Sequence, residues 1–187
     1  MALILASESP RRRALLAASG VGFTAESACV AELADDVQPR RLPERNAELK
    51  ASAVAAKHPG AAVLGADTVI LFDNRIIGKP ADLNEALTTL LELAGKTHEV
   101  ITGVALIRIA PPLRRVWSET TRVRFKPFDE TVARRYLDLV DVLDKAGAYA
   151  LQEHGDMLIE SVCGDADNVV GLPTARVVKM LEDEGLL

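Results

Sequence analysis

Five cations and two carboxylates stand in the breaks between the apolar runs of this sequence: Arg11, Arg12, Lys50, Lys79 and Lys145, with Glu32 and Asp67. Guanidinium and ammonium groups neutralise phosphate oxygens, and a divalent ion bridges phosphates to carboxylates. The set therefore suits a polyphosphate held with a divalent metal. The densest part is LILASESPRRRALLAASG, Leu3 to Gly20. Three arginines there fall in the first turn of an expected helix, at the positive end of its dipole, where each costs about 0.3 kcal/mol or more unless an anion is present. Backbone N–H groups, the Ser7 and Ser9 hydroxyls and the guanidinium forks make a phosphate cradle. The alternative is a solvated basic turn.

Asp67 ends the run AVLGAD, at the expected end of a buried strand, where ligands of α/β sheets commonly bind. A carboxylate there can hold a divalent ion or activate a water; otherwise it caps a turn. Lys79 precedes Pro80, which keeps it in extended backbone and aims its ammonium from a fixed base. LDKAGAYALQ, Leu143 to Gln152, groups Lys145, Tyr149 and Gln152 among small residues. Gln152 offers both a donor and an acceptor to the edge of a base. GKTHEVITG, Gly95 to Gly103, contains Gly-Lys-Thr but lacks the first glycine of GxxxxGK[ST], so it is no P-loop. His98 is either a base or a structural histidine, and His58 and His154 make no ligand spacing with it.

The elements that must carry these residues are legible in outline. Leu3 to Ala6 reads as a buried strand. Ser9 caps a helix that Pro10 opens and Gly20 closes. Val21 to Ser27 is extended. Cys29 to Pro43, with Glu32, Asp35 and Asp36, is a polar loop, and Glu44 to Lys57 a helix with Lys50 off its apolar face. Ala61 to Leu64 and Val69 to Phe72 are strands on either side of GADT, and Asp73-Asn74 turns a hairpin into Arg75 to Ile77. A helix capped by Asp82 or Asn84 follows. Next come strands from His98 to Ile109, interrupted at Thr102-Gly103, and from Leu113 to Phe125. Glu130 to Asp138 is helical, Tyr149 to Gln152 extended, Asp156 to Val162 a strand, Gly164 to Asn168 a turn and Thr174 to Glu184 a closing helix. Strands mixed with helices, some joined by hairpins, imply a mixed α/β sheet flanked by helices.

Length and composition bound the rest. The chain of 187 residues suits one domain over residues 1–187, and 49% hydrophobic content supports a substantial core. With 4% aromatics that core is expected to be aliphatic. A net charge of −5 and the lack of a basic stripe argue against a nucleic-acid polymer as partner. No apolar run reaches membrane-spanning length and no signal peptide is visible, so a cytoplasmic protein is expected. Cys29 and Cys163 show no metal spacing; they read as buried free thiols rather than a disulfide.

The order of motifs resembles the Maf family of nucleoside triphosphate pyrophosphatases. It is carried by SESPRRR at Ser7 to Arg13, ELKA at Glu48 to Ala51, GADT at Gly65 to Thr68 and GKP at Gly78 to Pro80. GKTHEVITGV at Gly95 to Val104, DKAGAY with Gln152, and NVVGLP at Asn168 to Pro173 complete it. The resemblance implies an α/β domain like that of inosine triphosphate pyrophosphatases, with two lobes around a central cleft. It implies hydrolysis of a nucleoside triphosphate to monophosphate and pyrophosphate. By the same resemblance Asp67 is the catalytic proton acceptor, and Arg11, Thr68 and Gln152 fall at positions tied to substrate choice. Ser7, Ser9, Arg12, Lys50 and Lys79 line the phosphate site; Arg13 is left as a solvent-facing cation. Glu32 and Asp67 hold a divalent cation, Mg²⁺ or Mn²⁺. DKAGAYALQ resembles the branch that acts on dTTP and UTP. A homodimer is compatible with the family. So is a second reading, a nucleotide-binding regulator of cell division or septum formation with little catalysis. Two segments depart from the family's pattern: Asp141-Val142-Leu143 before DKAG, and Asn46-Ala47 where a leucine-alanine pair is usual.

Overall fold

Apolar residues in β1 (Leu3–Ala6) alternate between two clusters: Leu3 and Leu5 join one, Ile4 and Ala6 the other. In β3 (Ala62–Phe72), Ala62, Leu64 and Ala66 follow the first and Val63 the second. In β5 (Thr97–Arg108), Val104 and Leu106 follow the first, Ala105 and Ile107 the second. The first cluster is completed by Leu16 of α1 (Pro10–Ala18) and by Val177 and Leu181 of α6 (Thr174–Asp183). The second is completed by Ala47, Ala51, Val54 and Ala55 of α2 (Leu42–Ala55). Helices thus cover both faces, which is why these strands read as nearly unbroken apolar runs.

The computed structural model describes residues 2–34 and 38–187, so Asp35 and Asp36 of the expected loop lie outside the described residues. The sheet order is β2-β1-β3-β5-β6-β7, with β4 also on β3. Here β2 is Thr24–Ala25, β4 Arg75–Ile77, β6 Leu113–Phe125 and β7 Ile159–Cys163. β1 runs parallel to β2 and β3, whereas β3/β4 and β6/β7 are antiparallel. The mixed sheet and flanking helices are those expected. The chain divides into two compact units: residues 1–68, 102–119 and 171–187, and residues 69–101 and 120–170.

In the first unit Ser9 caps α1, its hydroxyl accepting from the Arg12 N–H at 3.4 Å, with Pro10 in the first turn. Two glycines let α2 lie directly on the sheet. A Cβ on Gly65 would stand 2.2 Å from the Ala47 carbonyl oxygen, and one on Gly103 would stand 2.2 Å from the Pro43 carbonyl carbon. Thr102-Gly103 therefore does not interrupt its strand, contrary to expectation: β5 is continuous, and the glycine serves close backbone approach. Nor does GADT separate two strands. Ala62 to Phe72 is one strand, and Asp67 lies within it instead of at its end.

The second unit has its own core, in which Ile70, Leu90, Leu93, Phe125, Tyr136 and Tyr149 are buried together. Its helices are α3 (Leu83–Leu93), capped by Asp82, α4 (Glu130–Leu139), capped by Asp129, and α5 (Ala166–Val170). Asp73 and Asn74 take φ of +48° and +59°, as a tight hairpin turn between β3 and β4 requires. The few aromatic rings concentrate here: Phe125 meets His98 and Tyr149 edge-on, both at 4.9 Å. The aliphatic core expected from composition holds only for the buried residues of the first unit's two clusters. Three local expectations change. The turn at Gly164 to Asn168 contains the start of α5, Tyr149 to Gln152 is not a strand, and a 3-10 turn at Gly155–Met157 precedes β7. Cys29 and Cys163 are free as expected, but both are exposed. No helix among the described residues is long and apolar enough to cross a membrane.

Candidate active site

Strand alternation puts Val63, Gly65 and Asp67 on the face of β3 that α2 covers. On α2, Asn46 and Lys50 are one turn apart and share a face. Both reach Asp67: the Asn46 amide donates to Oδ2 at 3.1 Å, and the Lys50 ammonium to Oδ1 at 2.8 Å. Lys50 also pairs with Glu32 at 2.7 Å. Lys50, off the apolar face of its helix, is thus turned toward Asp67 and Glu32. It bridges the two carboxylates singled out from the sequence. The Lys50 and Asp67 side chains are 12% and 9% exposed, against 47% for Glu32. The Lys50–Asp67 pair is therefore largely desolvated and the Glu32 end is wet. Leaving either member of the desolvated pair alone would be far costlier than the pair itself.

Thr68 points to the opposite face of β3. Its hydroxyl lies 2.9 Å from that of Thr102 and accepts from Arg12 Nη2 at 3.0 Å, while Arg12 Nε donates to the Gly171 carbonyl at 2.8 Å. Burial lowers the Arg12 pKa from its ordinary value, and the nearby Asp67 and Glu32 carboxylates oppose that. The guanidinium stays charged, as arginine does in proteins. The serines shape the turn before α1: Ser7 Oγ accepts from the Ser9 N–H at 3.2 Å. Arg13, expected to face solvent, is exposed yet also donates to the Ser7 carbonyl at 3.3 Å. Ser7, Ser9, Arg11, Arg12, Glu32, Lys50, Asp67 and Thr68 all belong to the first unit.

Lys79 and Gln152 belong to the second unit. The Gly147 N–H donates to the Gly78 carbonyl at 2.9 Å, fixing the backbone beside Lys79. Gln152 is exposed on a segment that Tyr136 braces: the Tyr136 hydroxyl accepts from the Ala150 N–H at 2.9 Å and donates to the Glu153 carbonyl at 3.3 Å. His98 Nε2 lies 2.8 Å from the Tyr149 hydroxyl, while Nδ1 has no partner among the described residues. Burial pulls the His98 pKa down to about 4. The ring packs edge-on against Phe125 and Tyr149 in the second unit's core, the surroundings of a core histidine. Lys145 is also buried, and its ammonium donates to the Asp141 carbonyl and to Asp144 Oδ1 at 2.9 Å. It also pairs with Glu153 at 3.5 Å, so in this structure its charge is met by carboxylates of the 141–153 segment.

Asn46, Thr102 and Tyr136 were not singled out from the sequence. Asn46 left a signal: it stands four residues before Lys50, at a departure from the family's usual pair. Among the described residues no group of three or more His, Cys, Asp or Glu stands ready to hold a metal. Two carboxylates that already share one cation, Lys50, nevertheless fit an ion such as Mg²⁺, which takes one or two protein carboxylates and fills its shell with water and phosphate oxygens.

Helices on both faces of a mixed sheet, with a paired aspartate in a central strand and an arginine in the first turn of a helix, define an α/β protein with a charged cluster on its sheet. The comparisons make the class specific. The family model described as Maf-like protein matches residues 2–184, and the chain belongs to that family. The chain is 45% identical to a protein of Akkermansia muciniphila named dTTP/UTP pyrophosphatase, over 98% of this chain and 96% of that one. It is 46% identical to a protein of the same name from Symbiobacterium thermophilum, over 98% and 94%. Among solved structures, the Staphylococcus aureus Ham1 protein shares the fold, with a TM-score of 0.55 and 14% identity over 98% of this chain and 100% of that one.

Proposed function

We propose that the protein is a nucleoside triphosphate pyrophosphatase that hydrolyses dTTP and UTP to the monophosphate and pyrophosphate. The name shared by full-length relatives at 45% and 46% identity supports the substrate class. The observation that carries the chemistry is the Asp67 carboxylate, held in a central strand by one amide and one ammonium. Each of its oxygens keeps a second lone pair for a water. In the reaction the water oxygen bonds to the α-phosphorus, its proton passes to Asp67, and the α–β bridging bond breaks with its electron pair leaving on pyrophosphate. Lys50 and Arg12, with Arg11 and Lys79, offset the charge that grows on the phosphates. Glu32 and Asp67 would hold a divalent ion, Mg²⁺ or Mn²⁺, which supplies further charge neutralisation when bound. Gln152 selects the base, together with Arg11 and Thr68. Exposed free thiols at Cys29 and Cys163 suit the reducing cytoplasm.

The test is pyrophosphate release from the common nucleoside triphosphates, with Mg²⁺ and with a chelator. dTTP and UTP are expected to lead, and the chelator to stop turnover. Asp67→Asn is expected to bind dTTP and lose ~10²–10⁴-fold in kcat, the usual worth of a general base. Nucleotide binding by the wild-type protein without pyrophosphate release would overturn the proposal in favour of a regulatory binding protein.

A further inference from the structure

We infer that Asn46 is a positioning residue that locks the Glu32 loop and the Asp67 carboxylate into one geometry. The inference rests on the reading of Asp67 as the catalytic carboxylate. Asn46 is 2% exposed, and both polar atoms of its side chain are hydrogen-bonded. Its Oδ1 accepts from the Leu33 N–H at 2.8 Å, while its Nδ2 donates to the Leu33 carbonyl at 3.1 Å and to Asp67 Oδ2 at 3.1 Å. The orientation of the amide follows from these partners. Turned over, it would set an oxygen against a carboxylate and an NH₂ against an N–H. Leu33 is itself exposed, so no apolar burial holds this stretch of chain in place. The pair of bonds to Asn46 does so instead, and the neighbouring residue is Glu32, whose carboxylate meets Lys50. One amide therefore fixes the second oxygen of Asp67 and the backbone that presents Glu32. Lys50 closes the same circuit through charge. Groups behind a reacting carboxylate typically change activity ~10–100-fold when removed.

The test compares wild type with Asn46→Leu, which keeps the branched shape and removes all three hydrogen bonds, and with Asn46→Asp, which keeps an acceptor for the Leu33 N–H but loses the donor to Asp67 and to the Leu33 carbonyl. Hydrogen exchange resolved at residues 31–34 is measured beside kcat and KM for dTTP. In Asn46→Leu the Leu33 amide is expected to exchange at least ~10-fold faster, with α2 and β3 unchanged, and kcat to fall ~10–100-fold while KM moves less than about threefold. In Asn46→Asp the Leu33 amide stays protected and kcat still falls. A merely structural role would not give that split, and Asn46→Asp keeps the test decisive if Asn46→Leu fails to fold. Wild-type kcat in either folded variant, or an unprotected Leu33 amide in the wild-type protein, would overturn the inference. If the wild-type protein itself does not turn over dTTP, the proposed function fails, and the exchange data still judge the clamp.

Discussion

Gly65→Ala sets a methyl carbon 2.2 Å from the Ala47 carbonyl oxygen and 3.0 Å from the Ala51 nitrogen and Cβ. Both neighbours belong to α2, and the nearest is backbone, so no rotamer change relieves the contact. Contacts of a real Cβ do not fall below 3.0 Å, so α2 and β3 must part by at least about 0.8 Å. The shift is felt at Asp67, two residues along the strand on the same face. Added to the present 2.8 Å, it takes the Lys50–Asp67 contact to about 3.6 Å, and it takes the Asn46 bond further still, outside hydrogen-bonding range. Overpacking of this kind costs about 3 kcal/mol, and a misplacement near 1 Å at a reacting group costs ~10²-fold in rate. Urea unfolding and kcat for dTTP measure the two effects. Gly22→Ala is the control, because its Cβ meets nothing within 4 Å; a change within about 0.5 kcal/mol is expected there. If Gly65→Ala matched Gly22→Ala in both stability and kcat, α2 would not be what positions Asp67.

Two further predictions concern the second unit. The His98 pKa falls from its unfolded value of 6.5 to about 4 in the folded protein, so the unfolded chain takes up the proton first on acidification. Stability from this residue is constant above pH 6.5, drops between pH 6.5 and 4, and levels off below. At about 1.4 kcal/mol per pH unit the loss amounts to roughly 3 kcal/mol. Urea midpoints followed from pH 7 to 4.5 should fall more steeply in wild type than in His98→Leu, and equal slopes would refute the assignment. Tyr136→Phe leaves the buried Ala150 N–H without its acceptor and should cost about 1–3 kcal/mol in the same assay. It should also weaken discrimination between dTTP and purine triphosphates, because the freed backbone carries Gln152; a sharper or unchanged preference would count against that link.

Much of the molecule is written locally. Ser9 and Pro10 start α1 through a hydroxyl and a fixed φ that act within one turn. Asp82 caps α3 in the same way, and Asp73-Asn74 turns its hairpin because both residues tolerate left-handed backbone. The unbroken apolar run of β1 marks a strand buried on both faces, as it is. The sequence by itself therefore determined the order of strands and helices, and it pointed to Asp67, Lys50 and Arg12 as residues with work to do. The tertiary structure decided what each of them meets. GADT looked like a strand end because glycine and aspartate break an apolar run, yet packing continues the strand through them, since a helix needs Gly65 bare to approach. Asn46 looked like a departure from pattern until α2 settled over β3 and brought its amide to the carboxylate 21 residues away. Arg12 finds the Gly171 carbonyl 159 residues further along the chain. Such partners come from the way helices stack on the sheet, which depends on close packing of groups remote in sequence and leaves no periodic trace in any one segment.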